Sequence, residues 1–487
     1  MNSKAKFQPD VFILGSGCDG REYIHLQTNL LHLGVAFEGL KKGKLPTQMP
    51  DDLSKYKVFI YSGRDAYRLA DQKTQKMIAD FTKNGGHVVE APYEWEPGAG
   101  FVGVHPYMRN MILEDIAENV IAMHVIGTPR IPDQSQEIVD LMSSRPDDEV
   151  INEMADNLLG PCTHYYTDWN DSTASYLRSL FYCYQLTNNP KLKERAQQVW
   201  NQLILNFNNE VVTTSLYGDK IHPIGILAEM ASAGWLELPL QKLLKMVDDF
   251  LAKCCRVDGV ILGDIKQPTL DVSTDITTWY PPSFCALGKL CGREDIVQEA
   301  VNTLLCSEKL LCDPVDGLWV HTKVPAGRIS VKWGRGMGWA VLAASRSLPH
   351  LPENHPVRKQ MLDLLSRQFK ALARVQTGFG WWRSILDLPI SRMESSCTAF
   401  ILEGLGEAAA NGLYDEELAK SRQAAYKAVK SMVWCGYEYA MCSASLPDTG
   451  PAYYMRRPFE MGPPVYVANG LARHILCERD QKKKYSK

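Results

Sequence analysis

The sequence predicts two unequal domains of different class: an α/β domain with a parallel sheet over residues 1–145, and an all-α domain, an (α/α)6 toroid, over residues 146–487. Three observations lead there. At 487 residues the chain is about three times a typical domain length, so one core is too few. As far as about residue 126, short β-rich runs alternate with amphipathic stretches, the pattern of a parallel sheet covered by helices. Beyond about residue 147 the strands disappear, and helices recur in pairs whose starts lie roughly 50 to 60 residues apart. Hydrophobic residues make up 45% and charged residues 22%, which excludes a largely disordered or collagen-like chain.

In the first domain the elements run in order as a strand at 12–14, a helix at 21–33, a strand at 35–38, a strand at 58–61, a helix at 72–84 and a strand at 87–90. Gly85 and Gly86 follow Lys83 as a helix stop that leads straight into the next strand. In the second domain the pairs are 171–187 with 190–207, 222–234 with 238–255, 277–291 with 293–311, 336–348 with 355–375, and 394–411 with 415–433. A last helix at 464–477 and a first one at 148–159 complete twelve. The first member of each pair is rich in small and apolar residues, such as Ala340, Val341, Ala343 and Ala344. The second carries the charges of a solvated face, such as Arg358, Lys359 and Arg367. Inner and outer rings follow.

Lys plus Arg number 53 against 56 Asp plus Glu, a formal net charge of −3, and the charges are interspersed except at the basic run Lys482 to Lys484. A nucleic-acid partner is not expected from this balance. Met1 to Asp10 lack the basic, apolar and small-residue succession of a signal peptide, and no stretch approaches the roughly 18 apolar residues of a membrane span. The thirteen cysteines are odd in number, lie mostly in apolar helical patterns (Cys183, Cys285, Cys397) and form no CxxC pair. They read as reduced core thiols, so the expectation is a cytoplasmic protein with neither metal nor cofactor.

Polar and aromatic residues concentrate together in the loops that enter the inner helices. These are His164, Tyr165, Tyr166, Asp168 and Trp169 at the first, Tyr217, Asp219 and His222 at the second, and Asp271, Asp275, Trp279 and Tyr280 at the third. The fourth has His321, Trp333, Arg335 and Trp339, and the fifth Trp381, Trp382, Arg383 and Glu394. Flat apolar rings beside carboxylates and hydrogen-bonding forks suit a sugar, whose C–H faces stack on aromatics while its hydroxyls need polar partners. Each Trp taken singly reads equally well as core.

The segment Asp313, Pro314, Gly317, Leu318, Trp319, His321, with Trp333 to Trp339 after it, resembles the signature of bacterial unsaturated rhamnogalacturonyl hydrolases and the related unsaturated glucuronyl hydrolases. Asp275 with Pro282, Phe284, Leu287 and the run Gly288 to Gly292 is similar to that family's catalytic-Asp helix. Trp381, Trp382, Arg383, Leu386, Asp387, then Glu394 to Ala399, resembles a later motif block. The resemblance covers about residues 150 to 480. The chain departs from the family at Met337, where Asn is usual, and at Ser273 and Thr274, where a Trp or apolar pair precedes the aspartate.

The resemblance implies hydration of an enol ether rather than displacement at the anomeric carbon. A lyase leaves a 4,5-unsaturated uronic acid at the non-reducing end; an acid protonates C4, water adds at C5, and the hemiketal opens to release the sugar. Asp275 would give that proton and then, as carboxylate, take one from water, and Asp219 would raise its pKa by like-charge proximity. Arg335 would hold the uronate carboxylate, His321 would hydrogen-bond a hydroxyl or the water, and Trp333, Trp339, Tyr280 and Trp382 would line the subsite. Helix capping is the alternative for both aspartates, a surface ion pair for Arg335 and a core histidine for His321. A glucuronidase with a saturated substrate and a non-catalytic carbohydrate-binding protein stay open as alternatives.

In the first domain Gly15, Gly17 and Gly20 form GxGxxG after a strand, and Glu38 ends the next strand at the spacing of a ribose-binding carboxylate, which keeps a nicotinamide oxidoreductase as a further alternative. The run from Leu69 to Val89 resembles instead a class I glutamine-amidotransferase-like, flavodoxin-type domain. Its Gly-x-Cys-x-Gly nucleophile elbow is absent and Cys18 lies in the wrong loop, so a structural or oligomerising domain is expected.

Overall fold

The computed structural model describes residues 9–15, 37–39, 45–91, 139–141, 143–160, 169–208, 218–262, 270–388, 394–434, 437–438 and 465–485. The expected helix at 21–33 lies outside them. The contacts divide the chain into one unit of Met1–Arg145 with Ser431–Ala440 and another of Pro146–Lys430 with Met441–Lys487.

In the first unit β1 (Val11–Ile13), β2 (Val58–Ser62) and β3 (His87–Ala91) form a parallel sheet in that order, with Val11 opposite Val58 and Phe59 opposite Val88. Of the expected strand at 35–38, Phe37 makes a single parallel bridge to Val11 on the free side of β1. Helix α1 (Gln72–Lys83) starts where Asp71 accepts a hydrogen bond from Thr74 N and stops before Gly85, whose φ of +91° few other residues adopt. Its Phe81 packs with Phe12, Leu14, Leu53, Tyr56, Phe59 and Leu69 as the core. The amide of Gly15 donates to Pro46 O at 2.8 Å and its carbonyl accepts from Arg68. The Glu38 carboxylate accepts from Tyr56 Oη at 2.7 Å and lies 3.6 Å from Lys55. The first glycine and the acidic residue of the fingerprint are thus engaged within the protein, which counts against a dinucleotide site.

The second unit is helical. It begins with α2 (Asp147–Leu158), α3 (Asp171–Thr187), α4 (Pro190–Asn208), the short α5 (Gly218–Ile221), α6 (Pro223–Ser232) and α7 (Leu240–Lys253). There follow α8 (Thr274–Trp279), α9 (Pro281–Cys291), α10 (Glu294–Leu311), α11 (Gly334–Ser347), α12 (Pro356–Val375), α13 (Ser395–Ala410), α14 (Glu416–Ser431) and α15 (Val465–Tyr485). Helices α3, α6, α9, α11, α13 and α15 touch one another in a closed cycle, α15 returning to α3, while α4, α10 and α12 pack outside α3, α9 and α11. All of α11 is buried, whereas α12 buries one stripe, from Val357 through Met361, Leu364 and Leu365 to Leu372.

One expected helix is broken, and the break is at a proline. Pro281 has no N–H to donate and its ring crowds the preceding turn, so the helix expected over 277–291 divides at Tyr280 into α8 and α9. The helix expected over 222–234 is α6, which starts at Pro223 directly after His222 and is preceded by the short α5. The expected disappearance of strands is corrected too. β4 (Arg256–Val257) pairs antiparallel with β5 (Val260–Ile261), and β6 (Val272–Ser273), β7 (Thr322–Val324) and β8 (Gly327–Ile329) form a small antiparallel sheet. These strands of two or three residues are too short to show alternation.

Buried ionic and polar bonds tie neighbouring ring helices. Arg178 of α3 bonds Glu229 of α6 at 2.9 Å, and Arg346 of α11 makes a two-pronged pair with Glu403 of α13 at 2.7 and 2.8 Å. Arg473 of α15 pairs with Glu407 of α13, and Ser179 of α3 meets Asn469 of α15 at 3.0 Å. Desolvation offsets much of the attraction in such pairs, so they join one ring helix to the next without adding much net stability.

Candidate active site

The site is built where three chain segments meet, at the start of the short α8 and at the starts of the ring helices α11 and α13. Ser273 pairs with Thr322 across β6 and β7, which sets Thr274 beside His321; Thr274 N donates to His321 O at 3.0 Å, and Thr274 Oγ1 lies 3.0 Å from His321 Nδ1. Asp275 comes next, in the first turn of α8. The N-cap position of that helix belongs to Ser273, so capping is not the role of Asp275.

The second segment is Lys332 to Arg335. His321 N donates to Val331 O at 2.7 Å, Leu386 N to Lys332 O at 2.9 Å and Gly334 N to Ser384 O at 2.8 Å, so the chain before α11 is held on both sides. The buried Lys332 ammonium binds Asp313 at 3.0 Å, Asp387 at 3.4 Å and Asp316, and these carboxylates hold its pKa up against desolvation. Arg335 follows as the second residue of α11. Its guanidinium carbon is 4.7 Å from the centre of the Trp333 ring, and its Nη1 is 4.0 Å from Glu394 Oε1. Glu394, on the third segment, caps α13 by accepting from Cys397 N at 2.6 Å and from the Ser396 hydroxyl.

Electrostatics distinguish the members of this group. Asp275, 9% exposed, is pushed up to about 7 by burial, with Arg335 opposing the rise and Asp171 adding to it. His321, 3% exposed, is lowered to about 4 by burial and by Arg335, so its imidazole is neutral near pH 7. Burial also raises Glu394, against the pull of Arg335. At 7% exposure Arg335 is not half of a surface pair. A carboxyl poised near neutrality beside a fixed cation and a neutral imidazole can exchange a proton with a bound ligand in either direction.

Asp275, His321, Arg335 and Trp333 are therefore together, as the sequence suggests. Trp339 lies one turn further along α11, against Phe400 at 4.4 Å and the neutral His222 at 5.5 Å. Asp219 falls in α5, which packs against α8, but its side chain lies outside the described residues. His164, Tyr165, Tyr166, Asp168 and Tyr217 lie outside them as well.

Two expectations are corrected. Tyr280 is fully buried, donates its hydroxyl to Ile261 O at 2.5 Å and packs on Phe250 of α7 and Phe284 of α9, so it belongs to the layer between inner and outer helices. The break before Pro281 puts it out of phase with Asp275. Trp382 is likewise fully buried and donates to Leu372 O of α12 at 2.8 Å, which turns it to the outer layer. Trp169 is core for the same reason, bonded to Leu203 O of α4. Asp171 was not singled out by sequence, and Thr274 only as a departure from the family and not as a site residue. Asp171 follows Asn170, whose side chain accepts from Thr173 N, and so it reads as an ordinary first-turn acid.

Among the described residues no group of three or more His, Cys, Asp or Glu is placed to hold a metal ion, and no helix is long and apolar enough to cross a membrane.

Residues 145–479 match the family model described as Glycosyl Hydrolase Family 88. The chain is 33% identical over 147 residues to the unsaturated rhamnogalacturonyl hydrolase YesR of Bacillus subtilis (strain 168), a match spanning 30% of this chain and 42% of that protein. It is 33% identical over 92 residues to an unsaturated 3S-rhamnoglycuronyl hydrolase of Alteromonas sp. (strain LOR), spanning 18% of this chain and 22% of that one. The matches thus cover less than half the length of either curated relative. Among solved structures, a possible member of the GH105 family from Klebsiella pneumoniae superposes with a TM-score of 0.57 at 20% identity, covering 69% of this chain and 93% of that one. One from Salmonella enterica superposes with a TM-score of 0.56 at 20% identity, covering 70% and 95%. At this identity the likeness is one of fold.

Proposed function

The chain belongs to glycosyl hydrolase family 88, and on that premise we propose that it removes a terminal 4,5-unsaturated uronic acid from lyase-generated oligosaccharides by hydrating the double bond. The observation that carries this reading is the buried Asp275, held near pH 7 beside Arg335. At that pKa about half the carboxyls are protonated near neutrality, so one residue serves as acid and then as base. Asp275 gives its proton to C4, and the cation that develops at C5 is shared with the ring oxygen. Water adds to C5 as the Asp275 carboxylate takes its proton. The C5 hemiketal then opens by breaking its bond to the ring oxygen, which leaves a ketone at C5 and a hemiacetal at C1, and breakdown of that hemiacetal to an aldehyde releases the second sugar as its alcohol. Arg335 stabilises the Asp275 carboxylate formed on the first transfer and offers a fork to the uronate. Trp333 and Trp339 wall the subsite, and Asp219, which falls in the helix packed against α8, is the second carboxylate of the proposal.

The closed cycle of six helices supports an (α/α)6 toroid over residues 146–487, with these six as its inner ring. The parallel order Phe37, β1, β2, β3 supports a flavodoxin-type domain over residues 1–145 with a structural or oligomerising role. Among the described residues the cysteines form no disulfide, which favours a reducing, cytoplasmic setting.

The test is to add the protein to unsaturated uronyl disaccharides made by polysaccharide lyases and follow the ultraviolet absorbance of the conjugated alkene. Loss of absorbance with release of the second sugar is the expected result. Cleavage of the saturated glucuronide alone, with the alkene untouched, would give the site to direct hydrolysis instead.

A further inference from the structure

We propose that Thr274 is a positioning residue that fixes His321 as the tautomer with its proton on Nε2, so that this imidazole meets the ligand as a neutral hydrogen-bond donor. The inference deepens the proposed function and rests on that reading for its ligand, a uronate-bearing sugar.

The two residues are locked to each other twice, by Thr274 N to His321 O at 3.0 Å and by Thr274 Oγ1 to His321 Nδ1 at 3.0 Å. Both are buried, and the imidazole stands edge-on to the Trp333 ring with centroids 4.8 Å apart. The ring has little room to flip. Which way the hydroxyl bond runs is decided by what lies beside Nδ1. A Cβ placed on Gly336 would stand 2.4 Å from Thr274 Oγ1 and 3.3 Å from His321 Nδ1, so the pair is pressed against the first turn of α11. That turn is the positive end of a 14-residue helix, which favours a lone pair on Nδ1 over a proton. Thr274 Oγ1 then donates to Nδ1, and the single proton of the neutral ring stays on Nε2, which makes no hydrogen bond among the described residues. Burial, with Arg335 beside it, lowers His321 to about 4, so the ring is neutral near pH 7 and carries a single proton.

The consequence is a statement about the ligand. An N–H at this place asks for an oxygen lone pair, a carboxylate or hydroxyl oxygen, in parallel with the Arg335 fork. Since Thr274 directly precedes Asp275, one backbone turn spaces the proton donor for carbon from the hydrogen-bond donor for oxygen.

The experiment uses the full chain labelled with 15N-histidine. Long-range 1H–15N spectra report which ring nitrogen of each histidine carries the proton, and His321→Gln identifies the resonance. The expected wild-type result is one neutral tautomer with the proton on Nε2. Thr274→Ser should keep that tautomer and most of kcat/KM; Thr274→Val, of similar shape but without the hydroxyl, should give a mixture and lower kcat/KM about tenfold, more through KM than kcat. A wild-type proton on Nδ1 overturns the inference, and so does Thr274→Val with tautomer and KM unchanged. If Thr274→Val fails to fold, the wild-type and Thr274→Ser spectra still decide. The spectra need no turnover, so an Nε2 proton in a protein that leaves unsaturated disaccharides intact would sink the proposed function and support the tautomer.

Discussion

Arg335 Nη1 stands 4.0 Å from Glu394 Oε1, where the second residue of one ring helix meets the capping residue of the next. One carboxylate therefore serves two ends, closing the open amides of α13 and balancing the cation that neighbours Asp275. Glu394→Ala removes both and should destabilise by about 3–5 kcal/mol, the usual cost of orphaning a buried charge. Glu394→Gln keeps an acceptor for Cys397 N and should lose clearly less in a urea melt. With its counter-charge gone, Arg335 should also pull Asp275 down, so the alkaline limb of the Glu394→Gln rate profile should move to lower pH. Equal melting losses for Ala and Gln would count against the shared role.

Asp275→Asn separates catalysis from stability. Turnover of unsaturated uronyl disaccharides should fall by roughly 10² to 10⁴ or more, while binding, read by calorimetry, survives. Stability should move the other way. A carboxyl whose folded pKa is raised holds its proton longer in the folded state than in the unfolded one. The folded state therefore loses stability as pH rises from about 4 to about 7, and the loss is constant above that. The full penalty is at most about 4 kcal/mol. Asp275→Asn should thus melt later than the wild type at pH 8 and nearly with it at pH 4.

If Asp275 is the acid, as proposed, the pH dependence of kcat/KM should show an alkaline limb near 7, where its carboxyl loses its proton. His321, lowered to about 4, should contribute no limb between pH 5 and 8. A His321→Gln variant should then be slower but keep its alkaline limb in place. A limb that vanishes with that substitution would transfer the titration to the imidazole.

Gly336→Ala tests the close approach of α11 to α8. The added methyl would stand 2.4 Å from Thr274 Oγ1 and 2.9 Å from the Trp333 ring, so helix propensity gains about 1 kcal/mol while overpacking costs about 1–3. Net loss of stability, with a larger loss of kcat/KM, is expected. Gly378→Ala, where nothing lies within 4 Å, should be neutral within about 0.5 kcal/mol and serves as the control.

The paired helices were legible because small, apolar inner members alternate with charged outer ones, as in Ala340 to Ala344 against Arg358 to Arg367. The start of α11 was less so. Gly334, Gly336 and Gly338 are poor helix formers, yet Cβ atoms there would strike Arg383 O, Thr274 Oγ1 and Phe400 Cβ at 2.4, 2.4 and 2.9 Å. Packing overrides propensity at those positions. In the site, Asp275, His321, Arg335 and Trp333 were readable as residue types in a familiar order. What composition cannot show is the direction an aromatic takes from a loop. Tyr280 is turned by the break at Pro281, and Trp382 by a segment whose neighbour Ser384 bonds Gly334 N, fifty residues away.

The return of α15 to α3 also sets a clock. Ser179 bonds Asn469 across 290 residues, a stretch that takes a ribosome about 15 to 60 s to make. Until then α3 has one ring neighbour rather than two, and the cycle around the candidate site is open at the seam where Ser175 and Ser179 await Asn469. For those roughly 15 to 60 s the seam is exposed to other chains, so this fold carries an aggregation hazard during its synthesis that ends when the cycle closes.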